Sequence, residues 1–289
     1  NQLFQLKTKI ILNLKIYSNY YLMTKLSIYC MSLNNENLET IKSLNYIPVG
    51  LKNLNFSNDW LRDNTKDNIS EKNPYYGEYT FYYWYWKNLL KFKEDDEWVG
   101  FCSYREFWGL KNKKVSNKIN DLVLNEYKTE WSEYETIIGE PISIGGTTFM
   151  KTMKYGKLAL IRNPKAIFLK KGRTIRWQFD MFHGNGNLDK AIELLPDKDR
   201  DDFKHFTRTE TCFSRGNMFI SNSQDIINNY FSYIFKWLKD CENVFGFNLN
   251  GYGQIRMYTF IAERFLPFWF QKYTKFLEWP VIYRDINKI

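Results

Sequence analysis

The sequence predicts an α/β fold with a mainly parallel central sheet flanked by helices. Three observations predict it. Strand-like and helix-like segments alternate from residue 26 onward. Residues 97–103, Glu-Trp-Val-Gly-Phe-Cys-Ser, run nearly apolar, as a strand buried on both faces does. Ile226, Ile227, Tyr230, Phe231, Ile234, Phe235 and Leu238 recur at helical spacing, which gives an amphipathic helix one face to lay on such a sheet. No internal repeat or low-complexity linker divides the 289 residues, so a single domain over 23–289 is expected.

Taken in order, residues 26–32 read as a strand, 35–43 as a short helix, and 45–50 as a strand or extended loop stopped by Pro48 and Gly50. Residues 53–74 are polar and turn-rich. A helix over 75–91 follows, packed with aromatics from Tyr75 to Trp86, whose ordinary place is a core. After the strand at 97–103, residues 134–139 and 157–162 read as shorter strands, and Cys212–Ile220 as another. The amphipathic helix comes next, then a helix over 255–270, and a strand-like close over 279–283.

Composition narrows the function. With 10 Trp, 21 Tyr and 23 Phe the chain is not disordered, and with 15 Gly and 7 Pro it is not collagen-like. The mean hydropathy of −0.51 and the lack of a long apolar run argue against a membrane-spanning bundle. The net charge of +9 favours anionic partners, yet the basic residues are dispersed, which weighs against nucleic acid. Cys30, Cys102, Cys212 and Cys241 lie far apart with only His183 and His205 to join them, so reduced thiols in a cytoplasmic protein are expected. Residues 1–22 carry Lys7, Lys9 and Lys15, no acid, and an apolar run broken by Asn13 and Lys15. They read as a non-native or disordered leader before Met23, contributing three of the nine surplus charges.

The common catalytic signatures are absent: no GxGxxG, GxxxxGK[ST], GxSxG or HExxH occurs. The acidic runs Glu94–Glu97 and Asp197–Asp202 read as solvated loops. In open α/β sheets ligands bind beyond the carboxyl ends of strands. There the sequence places Ser103-Tyr104-Arg105-Glu106, where an arginine grips a phosphate with two parallel donors. A surface salt bridge between Arg105 and Glu106 accounts for the same residues. A second polar cluster, Asp67 to Glu78, crowds before a helix, where it serves an anion site or simply an N-cap and turn.

Here the residues resemble a known family. The run Asp67-Asn68-Ile69-Ser70-x-Lys72-Asn73-x-x-Tyr76-x-Glu78-x-Thr80-x-x-Tyr83-Trp84-x-Trp86-Lys87-Asn88 and the turn Val99-Gly100-Phe101-Cys102-Ser103-Tyr104-Arg105-x-Phe107 are similar to the domain of unknown function 4422 family. That family occurs in capsular and exopolysaccharide loci and is treated as glycosyltransferases. His183, Asn217-Met218-Phe219-Ile220 and Ile261-Ala262-Glu263-Arg264-Phe265-Leu266 extend the match over roughly residues 25–285. Ser103 stands where the family has histidine and Glu106 where it has a second arginine, which puts any paired-arginine grip in doubt.

The resemblance implies a Rossmann-like domain of the GT-A type. It implies transfer of a sugar, galactosyl or galactofuranosyl by association, from a nucleotide-diphosphate sugar to a polysaccharide or lipid-linked glycan. The place of work it implies is cytoplasmic, with peripheral contact at the inner membrane face. A transferase that inverts the anomeric centre needs one base near the acceptor hydroxyl, and His183, which matches a histidine of the family pattern, Asp67 and Glu263 are the candidates for that proton acceptor. Asn68, Lys72, Asn73, Glu78, Lys87, Tyr104, Arg105, Asn217 and Arg264 are the candidates for substrate binding. Asp67 is the carboxylate a Mg or Mn ion would use if one binds. A non-catalytic carbohydrate-binding protein, built on the aromatic helix, and a nucleic-acid-binding protein are the alternatives.

Overall fold

The computed structural model describes residues 25–52, 54–111, 116–144, 161 and 172–288. The leader over 1–22 lies outside them, and so, apart from Ile161, does the strand expected over 157–162. The first half of the described chain holds strands β1 (Lys25–Ser32), β2 (Ile47–Gly50), β3 (Leu61–Arg62), β4 (Glu97–Ser103), β5 (Glu106–Trp108), β6 (Thr136–Gly139) and β7 (Ile142–Ser143). It also holds helices α1 (Leu38–Ser43), α2 (Asn73–Tyr76) and α3 (Tyr79–Asn88). The second half holds α4 (Ile175–His183), α5 (Asn187–Ile192), α6 (Asp197–Thr209), β8 (Cys212–Phe213), β9 (Phe219–Ser221), α7 (Gln224–Phe245), α8 (Tyr252–Ile255), α9 (Met257–Tyr273), β10 (Phe276–Trp279) and β11 (Val281–Tyr283).

Nine strands form one sheet in the order β10-β6-β9-β4-β1-β2-β3, with β5 attached to β4 and β11 to β5. Strands β4, β1, β2 and β3 pair in parallel, as do β6 and β10, while β9 runs antiparallel between the two groups. The sheet is therefore mostly parallel, as expected. The β1–β4 register, Lys25↔Glu97 through Met31↔Ser103, brings both carboxyl ends to one edge. Side chains alternate across the pleat. Tyr29, Met31, Val99 and Phe101 join the larger core under α3, α7 and α9, whereas Ile28, Cys30, Trp98 and Cys102 join the smaller core on the opposite face. The near-continuous apolar character of β4 follows from burial on both sides.

Several segments depart from the sequence reading for local reasons. The helix expected over 75–91 breaks at Gly77, which has φ +55°, and resumes as α3. Its aromatics Tyr79, Phe81, Tyr82, Trp84 and Tyr85 are core. The strand expected over Cys212–Ile220 splits, because Gly216 and Asn217 both take positive φ. One piece, β8, pairs with β7 in a separate two-stranded sheet, and the other, β9, enters the main sheet. Pro280 divides the terminal strand, so β10 pairs with β6 and β11 with β5. The acidic run Asp197–Asp202 is not a solvated loop: it opens α6, and Asp199 is fully buried. All four cysteines are free thiols, three of them buried. Among the described residues no helix is long and apolar enough to cross a membrane.

Candidate functional site

The carboxyl ends of β1, β2 and β4 open into a cleft of about 470 Å³. Its floor is Met31, Leu33, Leu51 and the turn Ser103-Tyr104-Arg105-Glu106 that carries β4 into the antiparallel β5. That turn is fixed at both ends. Tyr104 N donates to Met31 O at 2.9 Å, and Arg284 N donates to Arg105 O at 2.8 Å. The walls come from the α2–α3 break (Asn73, Gly77, Glu78), the loop before β9 (Arg215, Gly216, Asn217), and α8 with α9 (Tyr252, Arg256, Thr259, Phe260, Glu263).

Two glycines let these walls close together. A Cβ at Gly77 would collide with the Arg256 guanidinium, and one at Gly216, where φ is +92°, would sit 2.6 Å from Glu106 Oε2. Asn217, itself at φ +48°, links three elements. Its Nδ2 donates to Glu78 Oε1 at 2.7 Å and to Thr259 Oγ1 at 3.2 Å, and its Oδ1 accepts from the Tyr79 hydroxyl at 3.2 Å. Glu78 also pairs with Arg256 at 3.3 Å. Glu263 Oε1 accepts from Gly216 N at 3.0 Å, and Oε2 pairs with Arg264.

The charges around this cleft are unequally satisfied. Arg105 and Arg215 make no ion pair, with Glu106 or any other acid among the described residues, although both line the cleft. The Arg105 guanidinium lies 5.1 Å from the centre of the Tyr104 ring. The Glu106 carboxylate likewise has no hydrogen-bond partner among the described residues. Burial first, then the nearby Glu263 and Glu78 carboxylates, push its carboxyl up to about 7, against the opposing pull of Arg215 and Arg105.

A second cleft of about 620 Å³ adjoins the first and shares Arg215, Tyr252, Phe260 and Glu263 with it. Its remaining lining is Gln178, Phe182, His183, Asn250, Gly251, Gly253, Gln254 and Arg264. His183 ends α4 and is buried. Its Nδ1 lies 2.9 Å from Gly253 O, a group that only accepts, so Nδ1 carries the proton. Nε2 then faces Arg264 Nη2 at 3.5 Å, and the ring stacks on Phe260 with centroids 4.0 Å apart. Burial and the Arg264 charge lower its pKa to about 3, which keeps the imidazole neutral.

Of the residues singled out in the sequence, the fold brings Asn73, Glu78, Tyr104, Arg105, Asn217 and Glu263 to the first cleft, and His183, Glu263 and Arg264 to the second. Asp67, Asn68, Lys72 and Lys87 line neither. Asp67 is exposed and accepts from the Tyr83 hydroxyl at 3.2 Å. Asn68 closes its own turn through Lys66 O and Ser70 N. Lys72 pairs with Glu242 at 2.6 Å, and Lys87 lies 3.4 Å over the Trp86 ring. Glu106, Arg215, Arg256 and Tyr252 complete the lining without having been chosen as site residues. Arg215 had a signal, since it lies two residues before the Asn217-Met218-Phe219-Ile220 motif.

The donor set does not suit a Mg or Mn ion as it stands. Among the described residues no group of three or more His, Cys, Asp or Glu is placed to hold a metal. Glu78 and Glu263 are already engaged by arginines, and a cation would sit among Arg105, Arg215 and Arg256.

Comparison with known proteins agrees with this architecture. A family model described as "Domain of unknown function (DUF4422)" matches residues 27–275. No curated protein matches the chain. The apo structure of WbbM, a bifunctional glycosyltransferase, superimposes with a TM-score of 0.63 at 18% identity. The match covers 90% of this chain and 45% of WbbM, so the chain spans less than half the length of that protein. The likeness establishes a shared fold.

Proposed function

The chain belongs to the DUF4422 family, and we propose that it is a glycosyltransferase moving a sugar from a nucleotide-diphosphate donor to a surface polysaccharide or glycolipid. The observation that carries the reading is the pair of guanidiniums, Arg105 and Arg215, left without ion pairs at the carboxyl ends of parallel strands. An open α/β sheet binds its ligand at that edge. Arginine forks match phosphate oxygens. The diphosphate lies between these two side chains, and their charge offsets what develops on the leaving group, the work a metal does in other enzymes. Asn73, Glu78 and Asn217 form the wall that holds the donor. The sugar is galactosyl or galactofuranosyl by family association, and the work is done in the cytoplasm at the inner membrane face.

Glu263 is the proton acceptor in this reading. It lies on the wall shared by the two clefts, and Gly216 N and Arg264 orient its carboxylate while each oxygen keeps a further lone pair. His183 is the weaker candidate, because its Nδ1–H is committed to Gly253 O and its Nε2 faces a cation. Asp67 is weaker still, because it lies outside both clefts. The aromatic helix that would serve a carbohydrate-binding module is buried in the core, which removes the main support for that alternative.

Calorimetry with UDP- and GDP-sugars tests the donor site. Arg105→Ala and Arg215→Ala should each weaken binding by roughly 1.5–3 kcal/mol. Unchanged affinity in both would refute the assignment. Glu263→Gln should lose on the order of 10²–10⁴ in turnover while still binding the nucleotide. Near-wild-type turnover would place the base elsewhere.

A further inference from the structure

The second cleft differs in chemistry from the first. Apart from Arg215 and the paired Glu263 and Arg264, its lining carries no formal charge at neutral pH, because His183 is held neutral. What it offers instead is three carboxamides, Gln178, Asn250 and Gln254, and the aromatic faces of Tyr252, Phe182 and Phe260. Tyr252 is 66% exposed, a large ring left in water at the junction of the two clefts. Asn250 and Gln254 are exposed and their amides have no hydrogen-bond partner among the described residues. Gln178 Oε1 accepts from Arg264 Nη2 at 3.2 Å, which leaves its NH₂ to donate.

This combination fits a polyhydroxylated, uncharged ligand. Amides both donate to and accept from hydroxyl groups, while an aromatic face covers the C–H surface of a sugar ring. A phosphate would find only cations shared with the first cleft or already paired to Glu263. The volume lies within the range of a small-molecule site.

We propose that the second cleft binds the acceptor as a neutral glycan terminus and presents its hydroxyl across Glu263 to the anomeric carbon held in the first cleft. This rests on the donor reading above. In the transfer step the acceptor oxygen forms a bond to the anomeric carbon as the bond from that carbon to the diphosphate oxygen breaks. The hydroxyl proton passes to the Glu263 carboxylate. The electron pair of the broken bond leaves with the nucleoside diphosphate, opposite Arg105 and Arg215. Tyr252 and Phe260, common to both clefts, form the passage between the two sugars.

The test uses the full chain and two kinds of probe. Saturation-transfer NMR reports binding of the methyl glycosides of galactose, glucose and mannose, and calorimetry reports binding of UDP and GDP. The variant is Asn250→Ala/Gln254→Ala, since these residues line the second cleft only. Wild type should bind at least one glycoside with the nucleotide already in place. The variant should weaken that glycoside about tenfold while the nucleotide affinity stays the same. Three results overturn the proposal while leaving the donor site standing. These are nucleotide binding without any glycoside signal, displacement of the glycoside by UDP or GDP, and equal glycoside binding in the variant. Failure of wild type to bind either nucleotide overturns the donor reading and this proposal with it.

Discussion

Glu106, half-buried at the cleft, and Asp199, fully buried, are two acids of the same chain whose surroundings are opposite. Asp199, at the start of α6, accepts from the Tyr233 hydroxyl at 2.6 Å, the Tyr273 hydroxyl at 2.6 Å and Lys272 Nζ at 2.8 Å. Its desolvation is more than offset by these donors, and its pKa falls below the usual carboxylate value. Glu106, in the first cleft, has no such donor among the described residues, and its pKa rises to about 7. Burial with partners marks a residue that holds elements together. Burial without them persists where a ligand or a reaction needs the group. Lys72 and Arg105 divide the same way: Lys72 is paired with Glu242, and Arg105 pairs with no acid among the described residues.

The largest expected effect breaks the satisfied side. Asp199→Ala takes the acceptor from two tyrosine hydroxyls at the α6–α7–α9 junction and leaves Lys272 with Asp202 at 2.7 Å as its one remaining acid among the described residues, and should cost about 2–4 kcal/mol in denaturant unfolding at pH 7. Since the folded pKa is lowered, the stabilisation of Asp199 is present above the unfolded value near 4 and is lost as pH falls through the folded one. The variant and wild type should therefore converge in acid. A constant gap from pH 7 to pH 3 would show that the charge is not what stabilises.

Glu106→Gln should act in the other direction. A carboxyl whose folded pKa is raised to about 7 destabilises the fold progressively as pH rises from its unfolded value to the folded one. Replacement with an uncharged amide should stabilise by roughly 1–2 kcal/mol at pH 8, a figure discounted for water at the open cleft, and by almost nothing at pH 4. A melting temperature unchanged at pH 8 would show that Glu106 is solvated and ionised like a surface acid.

The smallest effect sharpens the contrast between cations. Lys72→Ala leaves Glu242 with Lys239 at 2.6 Å and the Tyr76 hydroxyl at 2.8 Å, so stability should fall by only about 1 kcal/mol. UDP affinity should not change, whereas Arg105→Ala should reduce it. Equal losses of affinity in the two variants would place Lys72 at the donor site and dissolve the distinction between paired and unpaired cations.

How much of this was readable beforehand depended on sequence distance. Strand β4 and helix α7 were recognisable because both are local patterns: a nearly apolar run and a helical period. The cleft turn, Ser103 to Glu106, was placed because the carboxyl end of a strand is itself a local fact. Arg256 could not be found that way. It meets Glu78 across 178 positions of sequence, in the space left by Gly77. His183 was a candidate proton acceptor in the sequence, yet its ring is packed under Phe260 and its proton is committed to Gly253, 70 residues away. The run Asp197–Asp202 looked solvated because its charges were visible and its partners, Tyr233, Lys272 and Tyr273, were not.

The sequence by itself determined the α/β class, the strand that anchors the sheet, the family, and the turn that floors the first cleft. Each is encoded in neighbouring residues, through periodicity, apolar runs or a contiguous motif. Only the tertiary structure decided that β9 runs antiparallel, that Lys72 is paired while Arg105 and Arg215 are not, and that a second, neutral cleft shares Glu263 with the first. Those outcomes depend on which charges meet across the fold. The free energy of a charge is set by the partners and water around it, not by its position in the chain.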